Sequence, residues 1–348
     1  MKLLFLALAA VAFLSAETSG WSAAATPGAP GRKLGDYPLT ADSLPQPGVP
    51  RGQLEGPFEW HSKIIRGTVR RYWVYVPAQY TGATPAALLV FHDGQRALNP
   101  TGPLRVNQVL DNLIQKHDIP VTIGLFITPG NLSEHYPDNL GMGNPDNRAE
   151  EYDVLSDTYT RMLVEEFIPE LKKHYRITDD PDGRVIGGTS SGAICAFTSA
   201  WERPDQFHKV ISMIGSFTSI GYRPARGNQP MVPGGDFYPT LIRKNPIKPI
   251  RIFLQDGTND LSNISDTKGF KPEWTALTNE HGNWHLANEQ MLSAFQFANA
   301  NADRRQIEGP RYDIRYEWGD GNHSDTHGGS LLPEILRWMF RDWPKAKS

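Results

Sequence analysis

The sequence holds one cysteine in 348 residues. A lone thiol cannot form an internal disulfide, so stability must come from a core rather than from cross-links. There is no basic run, and 35 Lys and Arg stand against 38 Asp and Glu, a formal net charge of -3. A nucleic-acid partner leaves a basic footprint, and none is legible here. No internal repeat is visible. Long hydrophobic runs are scarce too, the exception being Leu3 to Leu14, directly after Lys2. That run is too short to span a bilayer comfortably, and small residues follow it. Residues 1–25 therefore read as a secretory signal peptide, cleaved after Ala16 or near Ala23 to Ala25. No cysteine lies nearby to carry a lipid anchor. The expected mature protein is secreted or periplasmic, with no stable membrane insertion once the signal is removed.

What is present is a globular composition, with 39% apolar and 10% aromatic residues. Residues 26–55 are rich in Pro, Gly and Ala and read as an extended lead-in. Residues 56–345 form the expected folded domain. Phe58 to Ile65 and Thr68 to Val76 predict two strands around a turn at Arg66-Gly67, since "RRYWVYV" is aromatic and β-branched. Further strands are expected at Ala86–Phe91, Val121–Ile127, Arg184–Gly187, Val210–Ile214, Ile250–Leu254 and Tyr312–Trp318. Helical spacing marks Asp153–Tyr175, with a kink at Pro169, and Ser191–Trp201. It also marks Trp284–Ala298, capped by Asn283, and Leu331–Phe340, capped by Ser330 with Pro333 in the first turn. Strands alternating with helices imply a mainly parallel sheet covered on both faces. Such a sheet gathers its functional loops at the carboxyl ends of the strands.

One such loop is "VIGGTSSGAICAF", Val185 to Phe197. Gly188-Thr189-Ser190-Ser191-Gly192 matches G-x-S-x-G, a weak signal as a string. A strand before it and a small-residue helix after it supply the setting of a nucleophile elbow. In that setting the central hydroxyl, Ser190, projects from the strand end. The Ser191 backbone N–H, at the helix start, suits an oxyanion donor. Cys195 lies on the helix body as a small hydrophobe. The competing reading is a glycine-rich loop that binds a ligand through its amides.

A serine hydroxyl needs a base, and the base needs an orienting carboxylate. "IFLQDGTNDLSN" places Asp256 and Asp260 after a strand, and "GDGNHSDTHGG" places His323 and His327 before the last helix. Taken singly, Asp260 is equally a turn-former. His323 and His327, with Asp320 and Asp325, are equally a surface loop or a metal site. Jointly they follow the order Ser, Asp, His. "FHDGQ", after an early strand, offers the backbone N–H of Gly94 or Gln95 as a second oxyanion donor, or is an ordinary Asp-Gly turn. The long polar loop Thr128–Asp153 is either a surface loop or a pocket wall with Arg148, Glu150 or Tyr152 as substrate contacts.

Taken together, these residues give a resemblance. "FHDGQ", "GGTSSGAICAFTSAWERPDQFHKVISMIGSF", "QDGTNDLSN" with "GNWHLANEQM", and "GNHSDTHGGSLLPEILRWMF" resemble the esterase family that holds enterochelin esterases. That family also takes in feruloyl and acetylxylan esterases, esterase D and the mycolyltransferase antigen 85 proteins. The resemblance covers roughly residues 55 to 345. It implies an α/β-hydrolase fold without a large lid domain and a serine ester hydrolase needing neither cofactor nor metal. It assigns Ser190 as nucleophile, Asp260 rather than Asp256 as the acid, and His323 as the base. His327 is left as a substrate-side group or an alternative base, because the family usually carries aromatics where this chain has "SDTHGG". The implied substrate is a small-molecule or oligosaccharide ester, of the carbohydrate-linked or siderophore type. Acyl transfer to another alcohol, and a non-catalytic binding protein on the same scaffold, are the alternatives.

Overall fold

A computed structural model describes residues 35–140, 145–262 and 280–343. The expected signal peptide and the first part of the lead-in lie outside the described residues. Among the described residues eight strands form one sheet: β1 (Gln53–His61), β2 (Val69–Val76), β3 (Ala87–His92), β4 (Thr122–Ile127), β5 (Arg184–Thr189), β6 (Lys209–Met213), β7 (Arg251–Asn259) and β8 (Asp313–Asn322). Their spatial order is β1-β2-β4-β3-β5-β6-β7-β8. β2 runs antiparallel to both β1 and β4. Every other pairing is parallel, from β4 through to β8.

The central strands are apolar on both sides because both faces are covered. In β3, Leu88 and Val90 join one core cluster, while Leu89 and Phe91 are equally buried outside it. Among the described residues, eight helices flank the sheet: α1 (Gly94–Ala97), α2 (Val106–Gln115), α3 (Arg148–Tyr152), α4 (158–174), α5 (Ser191–Glu202), α6 (Tyr238–Lys244), α7 (Trp284–Arg304) and α8 (Asp325–Phe340). The cluster draws Tyr159, Phe167, Phe197, Tyr238 and Phe295 from α4 to α7. α2 packs on α8, which in turn covers β6 and β7. This arrangement is the α/β-hydrolase fold.

Several expected boundaries move, for physical reasons. β1 starts at Gln53, inside the stretch read as lead-in, and ends at His61. Residues 62–68 turn instead of extending, because buried Glu166 accepts from the N–H groups of Lys63 and Ile64 at 2.8 Å. The helix expected over Asp153–Tyr175 begins at Thr158, while α3 forms earlier. A π-helical turn, Leu163–Phe167, sits just before Pro169, whose missing N–H cannot close a normal turn. α7 runs on to Arg304.

The last helix departs most. It starts at Asp325 behind Ser324, not behind Ser330, and Pro333 lies in its interior. "HGG" reads as loop, yet both glycines are helical because the helix is pressed against its neighbours. A Cβ on Gly328 would stand 2.5 Å from Met213 Sδ, and one on Gly329 would stand 2.3 Å from the Pro103 carbonyl oxygen. His327 is consequently a helix residue.

Candidate active site

The six parallel strands, β3 to β8, all end on one side, so their following loops meet there. At the end of β5 the chain turns sharply into α5. Ser190 takes φ 56° and ψ -123°, a region costly for a residue with a Cβ. Gly188 is required beneath it, since a Cβ there would lie 2.6 Å from the Gly192 carbonyl. The turn is held by Ser190 N–H donating to the Met213 carbonyl at 3.0 Å.

Ser190 Oγ lies 2.9 Å from His323 Nε2, and His323 Nδ1 lies 2.6 Å from Asp260 Oδ1. The Asp260 side chain is wholly buried and the imidazole is 13% exposed, so only the serine end of the chain opens toward solvent. Asp260 Oδ1 also accepts the Leu261 N–H at 2.5 Å. His323 immediately follows β8, whose last paired residue is Asn322. Asp260 follows β7, in a turn closed by its own N–H donating to Gly257.

Burial sets the protonation pattern. It pushes the Asp260 carboxyl up to about 7, against opposing hydrogen bonds from Asp256 and the Leu261 N–H. Burial also holds the His323 imidazole down to about 4, against the pull of the nearby Asp256 charge. Asp256 is held well above the usual carboxylate range by burial and by the Asp260 carboxylate beside it. Asp256 is thus the harder of the two carboxyls to ionise, and Asp260 the easier. Asn288 Nδ2 and the Gly257 N–H, both at 2.7 Å, secure Asp256.

Ser191 is the first residue of α5, and Gly94 and Gln95 open α1. N–H groups in a first helical turn have no intrahelical acceptor. The loop before α1 is fixed by charge. Arg148 Nη2 binds Asp93 Oδ2 at 2.9 Å, and Arg96 Nη2 binds both Asp325 oxygens at 2.7 Å. Burial raises Asp153 to about 6; its carboxyl hydrogen-bonds the Ser191 side chain.

The structure brings Ser190, Asp260 and His323 into one hydrogen-bonded line. Other expected site residues fall elsewhere. His327 is buried, its Nδ1 2.9 Å from Gln255 Nε2 and its ring stacked on Tyr37 at 3.9 Å. Arg148 is engaged by Asp93 at 2.9 Å and remains partly exposed. Tyr152 is fully buried, which removes it as a substrate contact, and Glu150 pairs with Arg223. Arg223 belongs to a hairpin-like excursion bridged at Arg223–Val232 and Arg226–Gln229, which no sequence pattern announced. Among the described residues no cluster of three or more His, Cys, Asp or Glu is arranged to hold a metal ion. Sequence reasoning also missed Asp93, Ser216 and Trp284. Ser216 Oγ is 3.1 Å from Ser190 Oγ, and Trp284 Nε1 donates to Ser216 at 3.0 Å.

Residues 63–294 match the family described as "Putative esterase". The chain belongs to that family. This esterase-family chain is 26% identical over 165 residues to the uncharacterized protein YbbA of Bacillus subtilis, covering 42% of this chain and 57% of that one. Its fold is similar to the enterobactin esterase of Shigella flexneri, with a TM-score of 0.58, 19% identity, and coverage of 87% of this chain and 63% of that one. It is similar also to a ferulic acid esterase from Anaeromyces mucronatus, with a TM-score of 0.54, 14% identity, and coverage of 86% and 94%. The chain thus spans less than two thirds of the Bacillus relative and of the Shigella enzyme. No helix among the described residues is long and apolar enough to cross a membrane.

Proposed function

We propose that the protein is an exported serine ester hydrolase acting on a small-molecule or oligosaccharide ester. The observation that carries this reading is the unbroken line from Ser190 Oγ through His323 to Asp260, at 2.9 and 2.6 Å. Membership of the esterase family supports it.

In this reading Ser190 attacks the ester carbonyl carbon while its proton passes to His323 Nε2. The carbonyl electron pair moves onto oxygen, where the N–H groups of Ser191 and of Gly94 or Gln95 receive the charge. His323 returns the proton to the departing alcohol, and water repeats the sequence on the acyl-enzyme. Asp260 stays ionised and stabilises the imidazolium. The strained backbone at Ser190 holds Oγ at the mouth of the elbow, so little motion separates resting and attacking geometries. Export rests on the N-terminal segment, and the ester class rests on the enterobactin and ferulic acid esterases of similar fold.

The test is hydrolysis of p-nitrophenyl acetate by the mature protein and its Ser190→Ala variant. Loss of turnover by at least about 10³-fold is expected, the scale seen when a triad member is removed. Full activity in the variant would sink the assignment.

A further inference from the structure

The loop after β6 places a second hydroxyl against the first. Ile214 adopts φ 44°, and Ser216 follows two residues later. Its N–H donates to the Ser190 carbonyl at 3.3 Å and its Oγ meets Ser190 Oγ at 3.1 Å. Ser216 is wholly buried. Trp284, 1% exposed, donates its indole N–H to the same Oγ at 3.0 Å. Trp284 is itself set by its backbone N–H on the Leu261 carbonyl at 2.9 Å, next to Asp260, and its ring stands edge-on to His323.

Counting donors gives this chain a direction. An indole can only donate, so Ser216 Oγ accepts from Trp284 and has one hydrogen left to give. His323 Nδ1 faces a carboxylate, so the ring hydrogen sits there and Nε2 accepts. The Ser190 hydrogen therefore goes to Nε2. At its contact with Ser216, Ser190 can then only accept. The line reads Trp284 N–H to Ser216 O–H to Ser190 O–H to His323.

We infer that Ser216 is a further catalytic residue, a built-in donor to the nucleophile's oxygen, and that Trp284 is the positioning residue that aims it. This rests on the esterase reading above. Ser190 Oγ has two lone pairs. Ser216 occupies one, which leaves the other to face the substrate carbon. As the Oγ–C bond forms and the Oγ–H proton moves to Nε2, the donor keeps its own hydrogen and stabilises the charge passing through Oγ. It does so again when Oγ leaves in deacylation, and that charge is absent from the bound ground state. The effect therefore falls on kcat rather than on KM.

The experiment uses the full mature protein, with p-nitrophenyl acetate turnover and fluorophosphonate labelling followed together. Labelling of wild type that is lost in Ser190→Ala establishes the underlying reading; no labelling of a folded wild type overturns both ideas. Given labelling, Ser216→Ala is expected to lower kcat and the labelling rate about 10- to 100-fold, with KM moving less than about threefold. Trp284→Phe keeps the ring beside His323 and is expected to cost about 3- to 10-fold in kcat. The double variant is expected to fall no lower than Ser216→Ala alone, since Trp284 acts through Ser216. Turnover by Ser216→Ala within about twofold of wild type, or losses that multiply in the double variant, would overturn the inference. Should Ser216→Ala fail to fold by its thermal melt, Trp284→Phe decides: an unchanged kcat refutes.

Discussion

Glu151→Gln is the perturbation whose consequence is clearest from the structure. Glu151 sits on α3 and Arg70 on β2, with side chains 1% and 0% exposed. Arg70 Nη1 donates to Oε2 at 2.6 Å and Nη2 donates to Oε1 at 3.0 Å. The Gly130 N–H adds a third donor at 3.0 Å, and Asn147 Nδ2 a fourth at 2.8 Å. Four donors thus converge on one carboxylate. A glutamine of the same shape offers a single acceptor oxygen and turns an NH2 toward two of those donors. It also leaves the Arg70 guanidinium as a buried charge without its counter-ion. Breaking a buried pair from one side costs about 3–5 kcal/mol. With a urea slope of about 3 kcal/mol/M, the midpoint should fall by about 1–1.7 M. Replacing both partners, Arg70→Met with Glu151→Leu, should recover most of that loss, because no charge then remains to be desolvated. Urea unfolding followed by circular dichroism measures all of these variants. A midpoint shift below about 0.3 M for Glu151→Gln would refute the reasoning, since it would mean the pair contributes under about 1 kcal/mol.

Asp260 and His323 should titrate as one unit, with an acid limb of kcat/KM near pH 7 for wild type. In Asp260→Asn no Asp260 carboxyl remains to titrate, and burial still holds the imidazole low, so the limb should fall below that of wild type, with kcat lower by about 10²- to 10⁴-fold; a limb that stays or rises contradicts this. His327→Ala removes a buried ring stacked on Tyr37 and should cost about 2–4 kcal/mol of stability while turnover persists. A folded His327→Ala as inactive as His323→Ala in the ester assay would count against that separation. Lys209, buried between Phe340 and Trp343, is held down to about 8 by burial and by neighbouring Arg251. The unfolded chain keeps that proton to about 10.4, so between pH 8 and 10 the unfolded state binds more protons, and the destabilisation from burying the ammonium fades as pH rises. Wild type should gain in urea midpoint relative to Lys209→Met over that range, and a flat difference would refute it.

The sequence carried the fold far because buried parallel strands must be apolar throughout. "AALLVF" and "VTIGLFI" could hardly be anything else in a chain of this period. What patterning missed were places where close packing overrides local preference. "HGGS" became helix because Met213 and Pro103 press against its glycines. The strand expected to reach Ile65 stopped at His61 because Glu166, over a hundred residues away, captures the N–H groups that follow.

Residue types and their order were legible in the chain: a serine in a glycine-bounded turn, then Asp260, then His323, each after a strand. Chain order constrains which chemistry is available, since only side chains at the strands' carboxyl ends can meet. Distance and proton placement belong to the tertiary structure alone. It put His323 rather than His327 against Ser190 Oγ, buried Asp256 so that its carboxyl resists ionisation, and turned Arg148 onto Asp93. It also set Ser216 and Trp284 behind the serine. Hydrogen bonds and burial act through space between residues far apart in the chain, and no periodicity in a linear string records them.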